Sequence, residues 1–133
     1  DSYDLYEESY DEPSENEIDS VLAGQFVQSF RMYYEQALNE SNFSWIADMV
    51  VGSAYTELED YIADISYEGH TFEFITNDIL DVTYENDEYA VNMNETFDFY
   101  SATGDYEHFD RYKTYTVMID QNGAFKISQI KIH

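Results

Sequence analysis

The chain has 133 residues, with 29 acids against 5 bases and a formal net charge of −24. A charge this negative argues against nucleic acid and an anionic lipid surface as partners, because both would repel the protein. The sequence contains no cysteine, which excludes disulfides and thiolate metal ligands. The acids also lack the spacing of a calcium-binding loop, and we predict neither a metal nor a cofactor.

The N-terminal stretch is acidic, holds the single proline and shows no apolar periodicity. Such a segment buries too little apolar surface to offset the entropy of ordering it. We therefore predict an acidic disordered linker over residues 1–18 and a single domain over residues 19–133.

Helical periodicity follows the linker. The first predicted helix begins at Asp19 or Ser20 and runs to about Asn39. Its apolar stripe is formed by Leu22, Phe26, Phe30, Tyr33 and Ala37, with Val27, Tyr34 and Leu38 beside it. A second, short helix is predicted over about 44–50, and a third follows Gly52 and stops near Gly69.

From Thr71 the apolar residues alternate, which predicts strands. The stretch 89–120 is typical of one long β-hairpin, and pairing about Gly104 would place Glu95 opposite Lys113. Breaks in the alternation near Asn77 and at 128–129 predict bulges and strong curvature. The predicted fold is α+β, with three N-terminal helices on one face of a strongly curved four-stranded antiparallel sheet.

Four segments carry a resemblance to a known fold: Phe43–Ile65, Ile79–Tyr84, Tyr112–Val117 and Asn122–Ile132. Over about residues 20–133 the chain resembles the nuclear transport factor 2-like (cystatin-like) cone fold. Within that fold it is similar to the C-terminal extracellular domain of the TcaA family. The resemblance implies a membrane-anchored zinc-ribbon protein of Firmicutes, associated with the cell wall and the teicoplanin response. It also implies an extracytoplasmic, cell-surface location, with a membrane tether outside this sequence.

Two functions from different classes stay open. The first is a non-catalytic domain that binds or senses a cell-envelope component or an envelope protein. Its binding surface would be the exposed face and edges of the last strands, where positive charge interrupts the acidic surface. The predicted ligand-binding residues are Arg111, Tyr112, Lys113, Lys126 and Lys131. A homodimer through the sheet face, and a secreted lipoprotein of the same fold, are further alternatives.

The second function is a small cone-fold enzyme, an isomerase or dehydratase acting on a lipophilic substrate. Glu95 would be its base, since it is the one acid on an otherwise apolar strand face, and Tyr115 or Tyr33 would be the proton donor. An ion pair between Glu95 and Lys113 is the simpler interpretation, and we favour the non-catalytic domain. An enzyme requires an open apolar pocket with an unpaired acid inside it.

Overall fold

The computed structural model describes residues 15–66 and 68–133. Two α-helices precede four strands: α1 (Glu15–Glu40), α2 (Gly52–Ile65), β1 (Thr71–Glu85), β2 (Glu88–Tyr100), β3 (Tyr106–Ile119) and β4 (Phe125–Ile132). Most of the predicted linker, residues 1–14, lies outside the described residues. The start predicted for the first helix is wrong, because α1 already includes residues 15–18. Acidic side chains suit the first turn of a helix, whose N-terminal end carries partial positive charge.

The predicted short second helix is wrong. Residues 43–49 form two single 3₁₀ turns, Phe43–Trp45 and Ala47–Met49, so the domain has two α-helices instead of three. After these turns the backbone is extended at Val50 and reaches the sheet. Val50 forms a parallel bridge with Ile127, and the Val51 amide donates to the Ile127 carbonyl at 2.9 Å.

The buried face of α1 differs from the predicted stripe. Phe30 and Ala37 are buried as predicted, but Leu22 and Tyr33 are exposed. The buried side chains on this helix are Ala23, Val27, Phe30, Arg31, Tyr34, Ala37 and Leu38. The prediction placed Val27, Tyr34 and Leu38 only beside the stripe, and because all three are buried, the stripe was predicted too far round the helix.

The sheet is a meander in the order β1-β2-β3-β4, with every neighbouring pair antiparallel. Both helices contact the same face, and α2 closes one end against β4. On β2 the odd-numbered positions face inward, as the alternation predicts. The core lies between this inner face and the helices.

The predicted register of the long hairpin is wrong by two residues. Pairing is centred on residue 103, so Glu95 lies opposite Arg111, and Met93 lies opposite Lys113. The five-residue loop 101–105 sets this register, with the Ser101 amide donating to the Asp105 carbonyl at 2.9 Å. A slip of two residues leaves each side chain on its original face, so the inner face predicted from the sequence still holds.

Both predicted bulges are present. The β1–β2 pairing shifts on either side of Asn77, between 74 and 76 and between 79 and 81. The β3–β4 pairing shifts at Ser128, which is the extra residue on β4. Bulges of this kind bend the strands, and here they fold the sheet around α1.

Candidate functional site

Three charged side chains meet in the core, and we call them the charge cluster: Arg31 from α1, Glu95 from β2 and Lys113 from β3. Glu95 is 0% exposed. Its Oε1 lies 2.9 Å from Lys113 Nζ and 3.3 Å from an Arg31 Nη1. The Tyr115 hydroxyl donates a short hydrogen bond to Glu95 Oε2. Both oxygens of this carboxylate are therefore engaged by neighbouring side chains.

Lys113 meets Glu95 diagonally, because its direct partner across the strands is Met93. The side chain is only 8% exposed. The pKa of Lys113 is lowered from 10.5 to about 8, mainly by burial and then by the nearby Arg31 guanidinium, while Glu95 acts in the opposite direction. Burial also raises the pKa of Tyr115 well above its ordinary value, so this hydroxyl keeps its proton at neutral pH.

Arg31 is the central cation of the charge cluster and is 1% exposed. Its Nε donates to Asn77 Oδ1 at 2.8 Å, and its guanidinium lies over the Phe74 ring at 3.8 Å from the centroid. The bulged part of β1 that carries Asn77 thus serves to hold this side chain. Arg31 Nη2 is buried and has no hydrogen-bond partner among the described residues.

A cavity of about 480 Å³ opens beside the charge cluster, between the two helices and the sheet. Its walls are mainly aromatic, formed among others by Tyr34, Tyr61, Phe72, Phe74, Phe97 and Phe109. Tyr61 and Ile132 line it and are also exposed to solvent, so the cavity has an open side. Its volume falls in the range of about 300–1,000 Å³ that is usual for small-molecule sites.

The charges on the cavity wall are mostly positive. Arg31, Arg111 and Lys113 line the cavity, which is three of the five bases in the chain. The two acids of the wall, Glu57 and Glu107, are exposed at its edge. Glu95 is not among the residues that line the cavity, whereas its partners Arg31, Lys113 and Tyr115 are.

The structure divides the predicted ligand-binding residues between the two faces of the sheet, because successive side chains of a strand point to opposite faces. Arg111 and Lys113 face inward and line the cavity. Tyr112 is 54% exposed, and Lys131 is exposed beside Thr114 on the outer face. Lys126 donates a hydrogen bond to the Asp48 carbonyl, which ties β4 to the second 3₁₀ turn. The prediction of one shared exposed surface is therefore wrong, since Lys113 is buried.

The residues proposed for the enzyme lie in different environments. Tyr33 is 46% exposed and stacks on Trp45, with ring centroids 6.3 Å apart. Tyr115 does reach Glu95, but it donates its proton to that carboxylate and not into the cavity. The pocket expected of an enzyme is present, but Glu95 is paired and does not line it, and the two acids of its wall, Glu57 and Glu107, are exposed at its edge.

Sequence reasoning missed Arg31. A signal was present, because Arg31 is the only base before residue 111 and lies four residues after Val27 and three before Tyr34. Both of those residues are buried on α1. A lone base on an apolar helical stripe, in a chain with a lone acid on an apolar strand face, indicates a buried ion pair.

Helices on one face of a bulged antiparallel meander, with a cavity between them, define a cone-shaped domain of the nuclear transport factor 2-like class. Similar solved structures support this fold class. The intermembrane space region of the chloroplast protein ARC6 superposes with a TM-score of 0.70 at 14% identity, covering 85% of this chain and 95% of that one. An NTF2-like superfamily protein from Salmonella enterica has a TM-score of 0.63 at 8% identity, covering 85% and 91%. At these identities the similarity shows the fold.

The family follows from the sequence. The family model described as "TcaA protein NTF2-like domain" matches residues 20–131, and the chain belongs to this family. A search of curated proteins gives no match.

Two further properties concern only the described part of the chain, residues 15–66 and 68–133. No helix there combines the length and apolar character needed to cross a membrane. No group of three or more histidine, aspartate or glutamate side chains there is arranged to hold a metal ion.

Proposed function

We propose that this domain is a non-catalytic, extracytoplasmic binding or sensing domain of a membrane-anchored cell-envelope protein. Membership of the TcaA NTF2-like family supports an envelope role. We further propose a Gram-positive bacterium as the source and a role in the response to cell-wall damage or glycopeptide antibiotics. The partner would be an envelope component or an envelope protein.

The state of Glu95 carries the proposal that the domain binds and does not catalyse. A general base must lie within hydrogen-bond reach of the proton it removes. Glu95 is fully buried, is held by Lys113, Arg31 and Tyr115, and lies behind the cavity wall. To act as a base it would have to lose contacts that compensate the burial of two cations.

Two surfaces are candidates for the partner. The inner one is the cavity, with Arg111 on its wall, and the outer one is the sheet face that carries Tyr112 and Lys131. We favour the cavity, because it is concave, apolar and contains a few convergent polar groups. The homodimer through the outer sheet face stays a prediction, and analytical ultracentrifugation would test it.

Cosedimentation with purified Gram-positive cell walls, and with membrane vesicles made from the same cells, tests the proposal. The wild-type domain should bind one of the two fractions saturably. Arg111→Gln should weaken binding if the cavity is used, and Tyr112→Ala should weaken it if the outer face is used. Binding to neither fraction, or binding that both variants leave unchanged, would contradict the proposal.

A further inference from the structure

The cavity wall combines features that rarely occur together in so acidic a chain. It is largely aromatic and aliphatic, yet three of the five bases in the chain are part of it. The net charge of −24 would repel anions from most of the surface. Positive charge concentrated inside one apolar cavity therefore calls for an explanation other than chance or solubility.

The charge cluster has more positive than negative charge. Two cations, Arg31 and Lys113, are buried around one carboxylate, that of Glu95. Burying a charge without a partner is unfavourable, and a buried cation normally finds an anion or a hydrogen-bond acceptor. A second anion placed in the cavity would complete the pairing.

Arg31 provides the most specific indication that the cavity accepts an anion. Its Nε is used by Asn77 and its Nη1 by Glu95, while its Nη2 is buried without a hydrogen-bond partner among the described residues. The guanidinium is fixed in orientation by the Phe74 ring beneath it. Arg31 also lines the cavity, and an acceptor bound there beside the guanidinium would give this buried donor its partner.

Arg111 extends the positive charge toward the open side of the cavity. Its guanidinium lies 4.8 Å from the Phe109 ring centroid and 5.6 Å from that of Phe97. This stacking holds the side chain against the wall, and the residue stays partly exposed. An entering anion would meet Arg111 before it reaches the charge cluster.

On the basis of the binding function proposed above, we propose that the cavity binds an anionic amphiphile. Its singly charged head would lie against Arg31 Nη2 and Lys113 Nζ, and its aliphatic or aromatic body would lie among the phenylalanines. A carboxylate, a sulfate monoester and a phosphate diester each carry one negative charge and share the necessary chemistry. A neutral or cationic amphiphile of the same size would lose the charge-assisted hydrogen bonds, which are the stronger kind.

A head-group series tests this inference. Decanoate, decyl sulfate, decanol and decyltrimethylammonium share one chain length, and their binding is measured below their micelle concentrations by titration calorimetry and by amide shifts in NMR spectra. We expect at least one of the two anions to bind at least about tenfold more tightly than decanol and the cation to bind most weakly. Octanoate should bind about fifteenfold more weakly than decanoate, since each of the two missing methylenes contributes about fourfold when buried in the cavity.

Variants identify the residues that bind the charged head group of the ligand. Arg111→Gln and Lys113→Met should each weaken binding of the preferred anion and leave binding of decanol unchanged. Gln121→Glu is the matched control, because it lowers the net charge as Arg111→Gln does but lies in the exposed β3–β4 turn. It should leave the affinity for the anion unchanged. Circular dichroism confirms that each variant is folded.

The outcomes separate this inference from the proposed function. Equal affinity for all four head groups would overturn the anion preference and leave the cavity as a binding site. No binding of any decyl compound would overturn the inference, whereas the cell-wall and vesicle assay would still decide the binding function. Preference for decanoate or for decyl sulfate would each support the inference and would distinguish carboxylate from phosphate-like ligands.

Discussion

Lys113 makes the folding stability of this domain depend on pH in a direction that can be worked out. The pKa of Lys113 falls from 10.5 in the unfolded chain to about 8 in the folded domain, because the side chain is buried and lies near Arg31. Between these two values the unfolded chain holds a proton that the folded domain has released. The free energy of unfolding therefore rises with pH across this window. One pKa unit corresponds to about 1.4 kcal/mol, so the full rise is about 3 kcal/mol.

Other groups around Lys113 do not cancel this effect. Comparison with a variant that lacks only the lysine isolates the effect, because Glu95 on β2, Arg31 on α1 and Arg111 on β3 are present in both proteins. Tyr115 is held protonated by burial, while the same tyrosine ionises in the unfolded chain near pH 10. That difference lowers stability above about pH 10, and it is shared by a variant that lacks only the lysine.

The assay compares the wild-type domain with Lys113→Met by urea denaturation at intervals from pH 6.5 to 10. We expect the stability of the wild type relative to the variant to increase by about 2–3 kcal/mol over this range. Lys131→Met, at an exposed lysine, should follow the wild type. A difference between wild type and Lys113→Met that stays flat with pH would show that Lys113 has an ordinary pKa, and the structure of the charge cluster would be wrong.

Three further perturbations test the fold and the charge cluster. Phe30→Ala should lower the free energy of unfolding by about 3–5 kcal/mol, whereas Met32→Ala, at an exposed position, should change it by less than about 0.5 kcal/mol; equal losses would refute the assignment of the buried face. Glu95→Leu should lower it by about 3–5 kcal/mol, because Arg31 and Lys113 remain buried without their anion, and adding Lys113→Met should recover part of the loss. A double variant no more stable than the single one would argue against the pairing. Raising sodium chloride at neutral pH should raise the urea midpoint by screening the net charge of −24, and a flat or falling midpoint would contradict this.

The strands could be predicted because their periodicity is short and unambiguous. On β2 the residues Tyr89, Val91 and Met93 alternate with the small or polar residues Ala90, Asn92 and Asn94, and each of the three is buried. The bulges could be found for the same reason, since an extra residue such as Ser128 reverses the alternation. The register could not be fixed in the same way, because a slip of two residues preserves the faces and only the loop 101–105 distinguishes the alternatives.

The helical part was less predictable, for two physical reasons. Several rotations of an amphipathic helix fit an apolar pattern about equally well, and the choice depends on what the partner surface accepts. Here β1 approaches α1 so closely at Gly24 that a Cβ atom would lie 2.9 Å from the Ile79 side chain, which fixes the rotation of the helix. The stretch 43–49 also has an apolar pattern that suits a helix, but the bridge from the next residue, Val50, to Ile127 on β4 overrides that preference.

The cavity lay beyond sequence reasoning because six elements contribute to its wall, and no local pattern reports their convergence. The sequence did contain the bases that give the cavity its positive charge. A chain with few bases used three of them, Arg31, Arg111 and Lys113, on an inner surface where exposure to water could not stabilise them fully. Solubility does not require this, because the surface acids already provide it. Stability does not require these buried bases either, since a buried ion pair often contributes no more than apolar residues of similar volume. Recognition of an anion does require it, and this is why the charges around the cavity, more than the fold, indicate what the domain binds.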